Sequence, residues 1–404
     1  MEKTEGKIRY GLIGIGAQGG SYARFLTNAP APFPGMVCAP CPDNCALGAL
    51  CDIDPEKEKM CREKYPDVPF FKDWKEMVAS GTVDAVITTV PHYLHHEIAI
   101  YCLEHGMNVL VEKPAGVYTK QVREMNEEAK KHPDVVFGMM FNQRTNCIYR
   151  KMRELVQSGV YGNIRRTNWI ITNWYRPQAY YDSGDWRATW SGEGGGVLLN
   201  QCPHQLDLWQ WICGMPKKVE AHLHYGMWHN IEVEDDVTTY VEYENGATSV
   251  FITSTGDAHG TNRFEIQLDK AKMVAEGDRL TVLEYDMTEQ EFSKTNTNPF
   301  GMVGAHEVDP QLDGENPQHK GVINAWGGAI LRGEPLIAGG EEGINGLTLS
   351  NAMHLSSWLG REITLPFDED LYYNELMKRV ATSKRKTNVK EVVADTSSTY
   401  AGSK

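Results

Sequence analysis

The stretch Ile8-Arg9-Tyr10-Gly11-Leu12-Ile13-Gly14-Ile15-Gly16-Ala17-Gln18-Gly19 decides how the chain is read. Residues 8–15 form an apolar run of the length of one buried strand. Overlapping its end, Gly14-x-Gly16-x-x-Gly19 is the pattern that turns a parallel strand into a helix. Glycines there permit a tight turn and a close backbone approach. The helix N-terminus that follows, expected over residues 21–26, presents N–H donors to a pyrophosphate. Alone the motif is weak. Directly after a strand it points to dinucleotide binding, with Gly14, Gly16, Ala17, Gln18 and Gly19 as cofactor contacts.

Working outward, residues 46–50 read as the second strand, ending in Cys51-Asp52-Ile53-Asp54. An acid at that place accepts from the adenosine ribose hydroxyls. Asp52 lies beyond the usual spacing of about 20 residues because residues 30–45 form an insertion rich in proline and cysteine. Followed by Ile53 rather than an arginine, Asp52 repels a 2′-phosphate, so NAD is expected over NADP. Asp54 before Pro55 reads as a helix cap. Cys38-x-x-Cys41-x-x-x-Cys45, with Cys51 as a fourth thiolate, is too loosely spaced for a metal site, so free thiols and no metal are expected.

The next strand, 83–90, closes on Val90-Pro91-His92, and His95 and His96 then open a helix that stops at Gly106. Asn108-Val109-Leu110-Val111 runs straight into Glu112-Lys113-Pro114. Ligands gather outside the carboxyl ends of parallel strands, which puts Lys113 at the mouth of a cleft with Glu112 beside it. Pro114 tolerates a cis bond before it. A helix over 120–131 and a strand over 135–140, ending in Phe141-Asn142-Gln143-Arg144, complete the alternation. Residues 1–145 are therefore expected to form an α/β domain with a doubly wound parallel sheet.

The pattern changes after a helix at 146–158. Strand-like runs with hairpin signals such as Asn245-Gly246 predict an α+β domain over 146–380, with a large, mostly antiparallel open sheet and helices on one face. Its other face needs a cover, which predicts a homo-oligomer, a tetramer or larger. Residues 381–404 read as a polar tail. Between the first two of these strands, Leu199, Cys202, Leu206, Trp209 and Cys213 recur at helical spacing, which predicts one helix with Asn200 and His204 on a shared face. Six of the ten tryptophans lie from Trp169 to Trp211. Half of them are expected in the core. Trp174, Tyr180 and Trp186 are candidate platforms for sugar rings, and Arg176, Asn173, Asp185 and Arg187 candidate hydroxyl binders.

Composition sets the outer limits. A net charge of −14 and a pI near 5.4 argue against a nucleic-acid or anionic-membrane surface. No apolar run reaches the length of a membrane span, and the charged first ten residues do not resemble a signal peptide. Nine cysteines, an odd number, read as reduced thiols of a cytoplasmic protein.

Taken in order, Gly14-x-Gly16-x-x-Gly19, Pro91 with His95, Glu112-Lys113-Pro114, Arg144 and Gly194-Gly195-Gly196 leading to His204-x-x-Asp207 resemble the Gfo/Idh/MocA oxidoreductases over nearly the whole chain. The resemblance implies NAD as cofactor, with Val90, Pro91, His92, His95, Glu112, Lys113 and Arg144 on the cofactor side. It also implies that Lys113 and His204 face the nicotinamide and the reacting hydroxyl. An aspartate commonly stands in that family where this chain has Asn200, which can orient a hydroxyl but accepts no proton. His204 is then the natural base and Lys113 the group that stabilises alkoxide charge; the reverse assignment stays open. Asp207 either orients His204 or caps a neighbouring strand. The expected function is oxidation of a secondary hydroxyl of a sugar, glycoside or cyclic polyol. An NAD-dependent glycosidase with transient hydride transfer and a non-catalytic NAD-sensing regulator are the alternatives.

Overall fold

The computed structural model describes residues 6–29, 44–387 and 389. Cys38, Cys41 and most of the 381–404 tail lie outside them. The chain divides into two compact units.

Unit 1 comprises Met1–Asn142 and Pro317–Ile344. Its strands are β1 (Ile8–Ile13), β2 (Cys45–Cys51), β3 (Phe70–Phe71), β4 (Ala85–Thr88), β5 (Asn108–Val111) and β6 (Phe137–Met139), all parallel in the order β3-β2-β1-β4-β5-β6. Every residue of β1 is buried, as expected of a strand covered on both faces. The order runs outward from β1 in both directions, so the crevice of such a sheet opens beyond the carboxyl ends of β1 and β4. Helix Gln318–Arg332, ended by Gly333 at φ 69°, returns to this unit. Its Trp326 stacks on Tyr10 (5.3 Å between centroids) and donates from Nε1 to the Val136 carbonyl at 3.1 Å. A linear division at residue 145 left this helix with the second domain. Periodicity shows that a helix is amphipathic but not which core it fills.

Unit 2 comprises Gln143–Asn316 and Asn345–Glu391. Its sheet contains β7 (Ile164–Ile171), β8 (Lys218–Tyr225), β9 (Glu234–Glu242), β10 (Thr248–Ser254), β11 (Asn262–Leu268), β12 (Ala271–Glu276), β13 (Arg279–Tyr285), β14 (Ala305–Val308) and β15 (Ile363–Thr364). The order is β14-β13-β12-β11-β7-β10-β9-β8-β15, antiparallel throughout except for the parallel pair β7–β10. Alternation fixes the inner face: Val237, Thr239 and Val241 of β9 are buried while Thr238 and Tyr240 point outward. On the inner side Trp169 stacks on Phe264 at 4.2 Å, and Trp209 of helix Pro203–Cys213 stacks on Phe251 at 5.2 Å. That packing sets helix Pro203–Cys213, and with it His204, against the sheet.

Candidate active site

The glycine loop is built from the backbone. Gly14 sits at φ +90°, in the left-handed region that favours glycine. A Cβ on Gly19 would lie 2.0 Å from the Gly14 carbonyl oxygen, so that pair closes the turn. A Cβ on Gly16 would meet nothing within 4 Å, which leaves open space in front of helix Ala17–Thr27. The helix starts at Ala17 rather than residue 21, with no acid in its first turn and no side-chain cap. Its leading N–H groups therefore suit an anionic ligand. Asp52 Oδ2 accepts from the Ile15 N–H at 2.6 Å and Oδ1 from the Asp54 N–H at 3.0 Å. Asp52 thus fastens the glycine loop to the end of β2, while Asp54 caps the following helix through the Glu56 N–H at 2.8 Å and Ile53 is 86% exposed. Open cradle, helix N-terminus and acid together fit an NAD molecule.

Lys113 stands just beyond β5, after Glu112, and the Lys113–Pro114 bond is cis. Glu112 beside it is buried, accepts from the Tyr22 hydroxyl and from the Lys113 N–H (3.1 Å), and has its carboxyl pushed above the usual range by that burial. His95, also buried, lies between the Pro114 carbonyl (Nδ1, 2.7 Å) and the Val90 carbonyl (Nε2, 2.9 Å). It ties the turn after β4 to the Glu-Lys-Pro turn. Carbonyls at both ring nitrogens favour its charged form, but burial outweighs them and pushes its pKa down to about 4. His92 is buried, whereas His96 is partly exposed and meets Glu124 at 3.1 Å. Two residues of this end carried no signal in the sequence. Tyr22 holds Glu112, and the Tyr22 ring lies 5.8 Å from His319, whose pKa burial and then the Lys113 charge push down to about 4.

In unit 2 the expected continuous helix divides. Helix Pro203–Cys213 begins at Pro203, which lacks an N–H and restricts the residue before it. Asn200 lies in a preceding turn, in which the N–H groups of Leu199 and Asn200 donate to the Gly196 carbonyl and that of Cys202 to Val197. Glu234 braces this turn: its carboxylate accepts from the N–H of Gly196 (2.8 Å) and of Leu198 (3.0 Å), and His354 Nε2 lies 2.9 Å away on the same carboxylate. A Cβ on Gly196 would approach the Glu234 carbonyl oxygen to 2.0 Å, which explains the glycine at that position.

His204 is 1% exposed in the first turn of its helix. Asp207 sits one turn further along the same helix. It takes a bidentate pair from Arg144 (Nε 2.8 Å, Nη2 2.7 Å), with both side chains 1% exposed, and a bond from Gln210 at 3.1 Å. Through this pair Arg144, expected as a cofactor contact, grips the helix that carries His204. The Asn200 amide donates to Glu193, a buried carboxylate absent from the sequence reading, which also accepts from the Ala188 N–H. Ala188 is held at φ +53°, a conformation that costs a non-glycine residue energy and marks a constrained turn. Trp174, Arg176, Tyr180 and Trp186 do come together: Arg176 lies over the Trp174 and Tyr180 rings at 5.7 and 5.2 Å, and Arg187 over Tyr180 and Trp186, each at 4.6 Å. Gln201, next to Asn200, donates to the Tyr180 hydroxyl at 3.3 Å.

Among the described residues no group of three or more His, Cys, Asp or Glu side chains is placed to hold a metal, and no helix is long and apolar enough to cross a membrane. Cys45 and Cys51 are buried, and burial pushes the Cys51 thiol up to about 12.

A family model described as an oxidoreductase family with an NAD-binding Rossmann fold matches residues 8–139, and one for the GFO/IDH/MocA C-terminal domain matches residues 149–274. The chain is 25% identical over 365 residues to myo-inositol 2-dehydrogenase of Thermotoga maritima, covering 89% of this chain and 98% of that protein. It is 24% identical over 305 residues to levoglucosan dehydrogenase of Pseudarthrobacter phenanthrenivorans, covering 69% and 75%. The structure of the WlbA dehydrogenase of Chromobacterium violaceum with NADH and UDP-GlcNAcA superposes with a TM-score of 0.74 at 27% identity, covering 91% of this chain and 98% of that one. Both halves of the molecule match, and the chain belongs to the Gfo/Idh/MocA family of NAD-binding oxidoreductases.

Proposed function

We propose that the protein oxidises a secondary hydroxyl of a sugar, glycoside or cyclic polyol. The observation that carries this reading is the placement of Lys113 just beyond β5, on the same sheet edge as the glycine loop after β1 and Asp52 after β2. Relatives that act on inositol, glucoside and levoglucosan support the substrate class. NAD, when bound, supplies the hydride acceptor. The substrate carbon gives up its hydride, its hydroxyl gives up a proton, and a ketone results. His204 takes that proton. Lys113, as ammonium, holds the substrate oxygen and stabilises the charge that develops there. Asn200, its amide anchored on Glu193, orients a neighbouring hydroxyl. Arg144 and Asp207 keep the His204 helix in place. Asp52 selects NAD over NADP by repelling a 2′-phosphate. The test is NADH formation across a panel of glycosides, inositols and anhydrosugars with product identification. Formation of NADH with a matching keto product is expected; bond cleavage without net NADH would point to the glycosidase instead.

The outer face of the unit 2 sheet is the proposed contact between copies. Ile170 is 38% and Tyr240 39% exposed there, with Ile252 beside Ile170 and Val250 opposite Tyr240. Light scattering is expected to show a tetramer or larger, and a monomer at micromolar concentration would reject this assembly.

A further inference from the structure

Around Tyr180 the charge balance of the chain is locally reversed. Arg176 and Arg187 both lie over its ring, at 5.2 and 4.6 Å, in a protein with a net charge of −14. Among the described residues neither guanidinium has a carboxylate within ion-pair distance. Carboxylates are nearby but engaged elsewhere. Asp185 meets Arg385 at 3.5 Å, and Asp182 meets Lys386 at 3.9 Å. Glu193 is held by the Asn200 amide and the Ala188 N–H, and Glu232 by the Ser383 hydroxyl and the Lys384 N–H. Among the described residues two of these acids meet cations, the other two are held by neutral donors, and neither arginine has a carboxylate counter-ion.

The two side chains are also preorganised. Arg187 Nη1 donates to the Tyr180 hydroxyl at 2.9 Å and Arg176 Nη1 to the Tyr175 carbonyl at 2.9 Å, while Trp186 and Trp174 give each a second ring. A guanidinium has five N–H donors, so one such bond leaves a fork able to take an oxyanion side-on. Both arginines are partly exposed. The link to the chemistry is Gln201, which binds the same Tyr180 hydroxyl and stands between Asn200 and His204 in the chain.

We propose that Arg176 and Arg187 form an anion subsite that grips a carboxylate or phosphate on the substrate, so that this enzyme takes an acidic or phosphorylated sugar in preference to a neutral one. The proposal rests on the dehydrogenase reading of the site. The shared chemistry is a planar or tetrahedral oxyanion attached to a sugar. Stacking fixes the guanidiniums before the ligand arrives, which lowers the ordering cost of binding.

The experiment is calorimetric titration of the full-length protein, saturated with NADH, with glucose, glucuronate, glucose 6-phosphate and UDP-glucose. At least one charged probe is expected to bind about tenfold or more tightly than glucose, the scale of one charge-assisted pair. Which probe leads separates carboxylate, phosphate monoester and diphosphate. In Arg176→Met and Arg187→Met that preference over glucose should fall about tenfold or more, and Arg187→Lys should keep an intermediate preference because charge survives without the fork. No charged probe tighter than glucose, or variants that weaken all probes alike as a purely structural arginine would, overturns the subsite. Failure of the dehydrogenase reading looks different: the preference and its loss in the variants persist, but the tightest probe yields no NADH when NAD is supplied.

Discussion

The glycine loop of unit 1 and the triple-glycine turn of unit 2 use the same device with different reach. In both, a glycine accepts a carbonyl oxygen where a Cβ would lie at 2.0 Å, Gly19 against Gly14 and Gly196 against Glu234. In the first case both residues belong to one loop. In the second, the partner lies 38 residues away on β9, and its carboxylate in turn meets His354 from a helix near the end of the chain. The glycine contact at the nucleotide end is therefore local, although the Asp52 side chain fastens that turn from 37 residues away. The turn that carries Asn200 is an assembly of side chains that exists only once unit 2 has folded, and its weak points lie in buried charges rather than in glycines.

The largest effect should come from that assembly. Asp207→Leu leaves Arg144 buried without its counter-ion, and ~3–5 kcal/mol of stability should be lost. Denaturant unfolding measures this; a loss below about 1 kcal/mol would show that the pair is not what holds the His204 helix. Next comes the chemistry at each end. Lys113→Ala and His204→Ala should each lower kcat by roughly 10²–10⁴, and the double variant by less than the product, because the two act on one proton and one oxygen. Steady-state rates together with NAD titration check this, since Lys113→Ala should leave NAD affinity nearly unchanged. A His204→Ala enzyme with a near-normal rate would hand the proton to Lys113.

Asp52→Asn probes the local end. The amide still has an oxygen for the Ile15 N–H but no charge to repel a 2′-phosphate, so preference for NAD over NADP should narrow by roughly tenfold. Dissociation constants for both cofactors decide it, and an unchanged ratio would make Asp52 a loop fastener only. The smallest effect concerns His319. In the fold it binds a proton only near pH 4, against 6.5 when unperturbed, so between those values the unfolded chain holds more protons and stability falls as pH drops. His319→Gln removes that contribution. On going from about pH 7 to about pH 5 its Tm should drop by roughly 2–4 °C less than that of the parent protein.

Legibility followed the same division. Strand, glycine loop, Asp52 and Glu112-Lys113-Pro114 were readable because each is specified by residues adjacent in sequence and by the period of a buried strand. The α/β unit followed by a mostly antiparallel sheet was readable for the same reason. Where contacts cross the chain, the local pattern carried no signal. Nothing in the sequence around either residue showed that Arg144 and Asp207 bind each other across 63 residues. Asn200 and His204 were placed on one helix, yet Pro203 starts that helix after Asn200.

By itself, then, the order of residues determined the family, the NAD-binding end, the candidacy of Lys113 and His204, and the crowd of aromatics around Tyr180. Only the tertiary structure decided that Glu193 anchors Asn200, that Glu234 and His354 brace the triple-glycine turn, that His319 lies beside Tyr22, and that Arg176 and Arg187 share the Tyr180 ring. The reason is physical. Backbone conformation and burial periodicity act over a few residues and leave a trace in composition, whereas the pairing of buried polar groups depends on which segments the sheet brings together, and nothing in the local pattern records the partner.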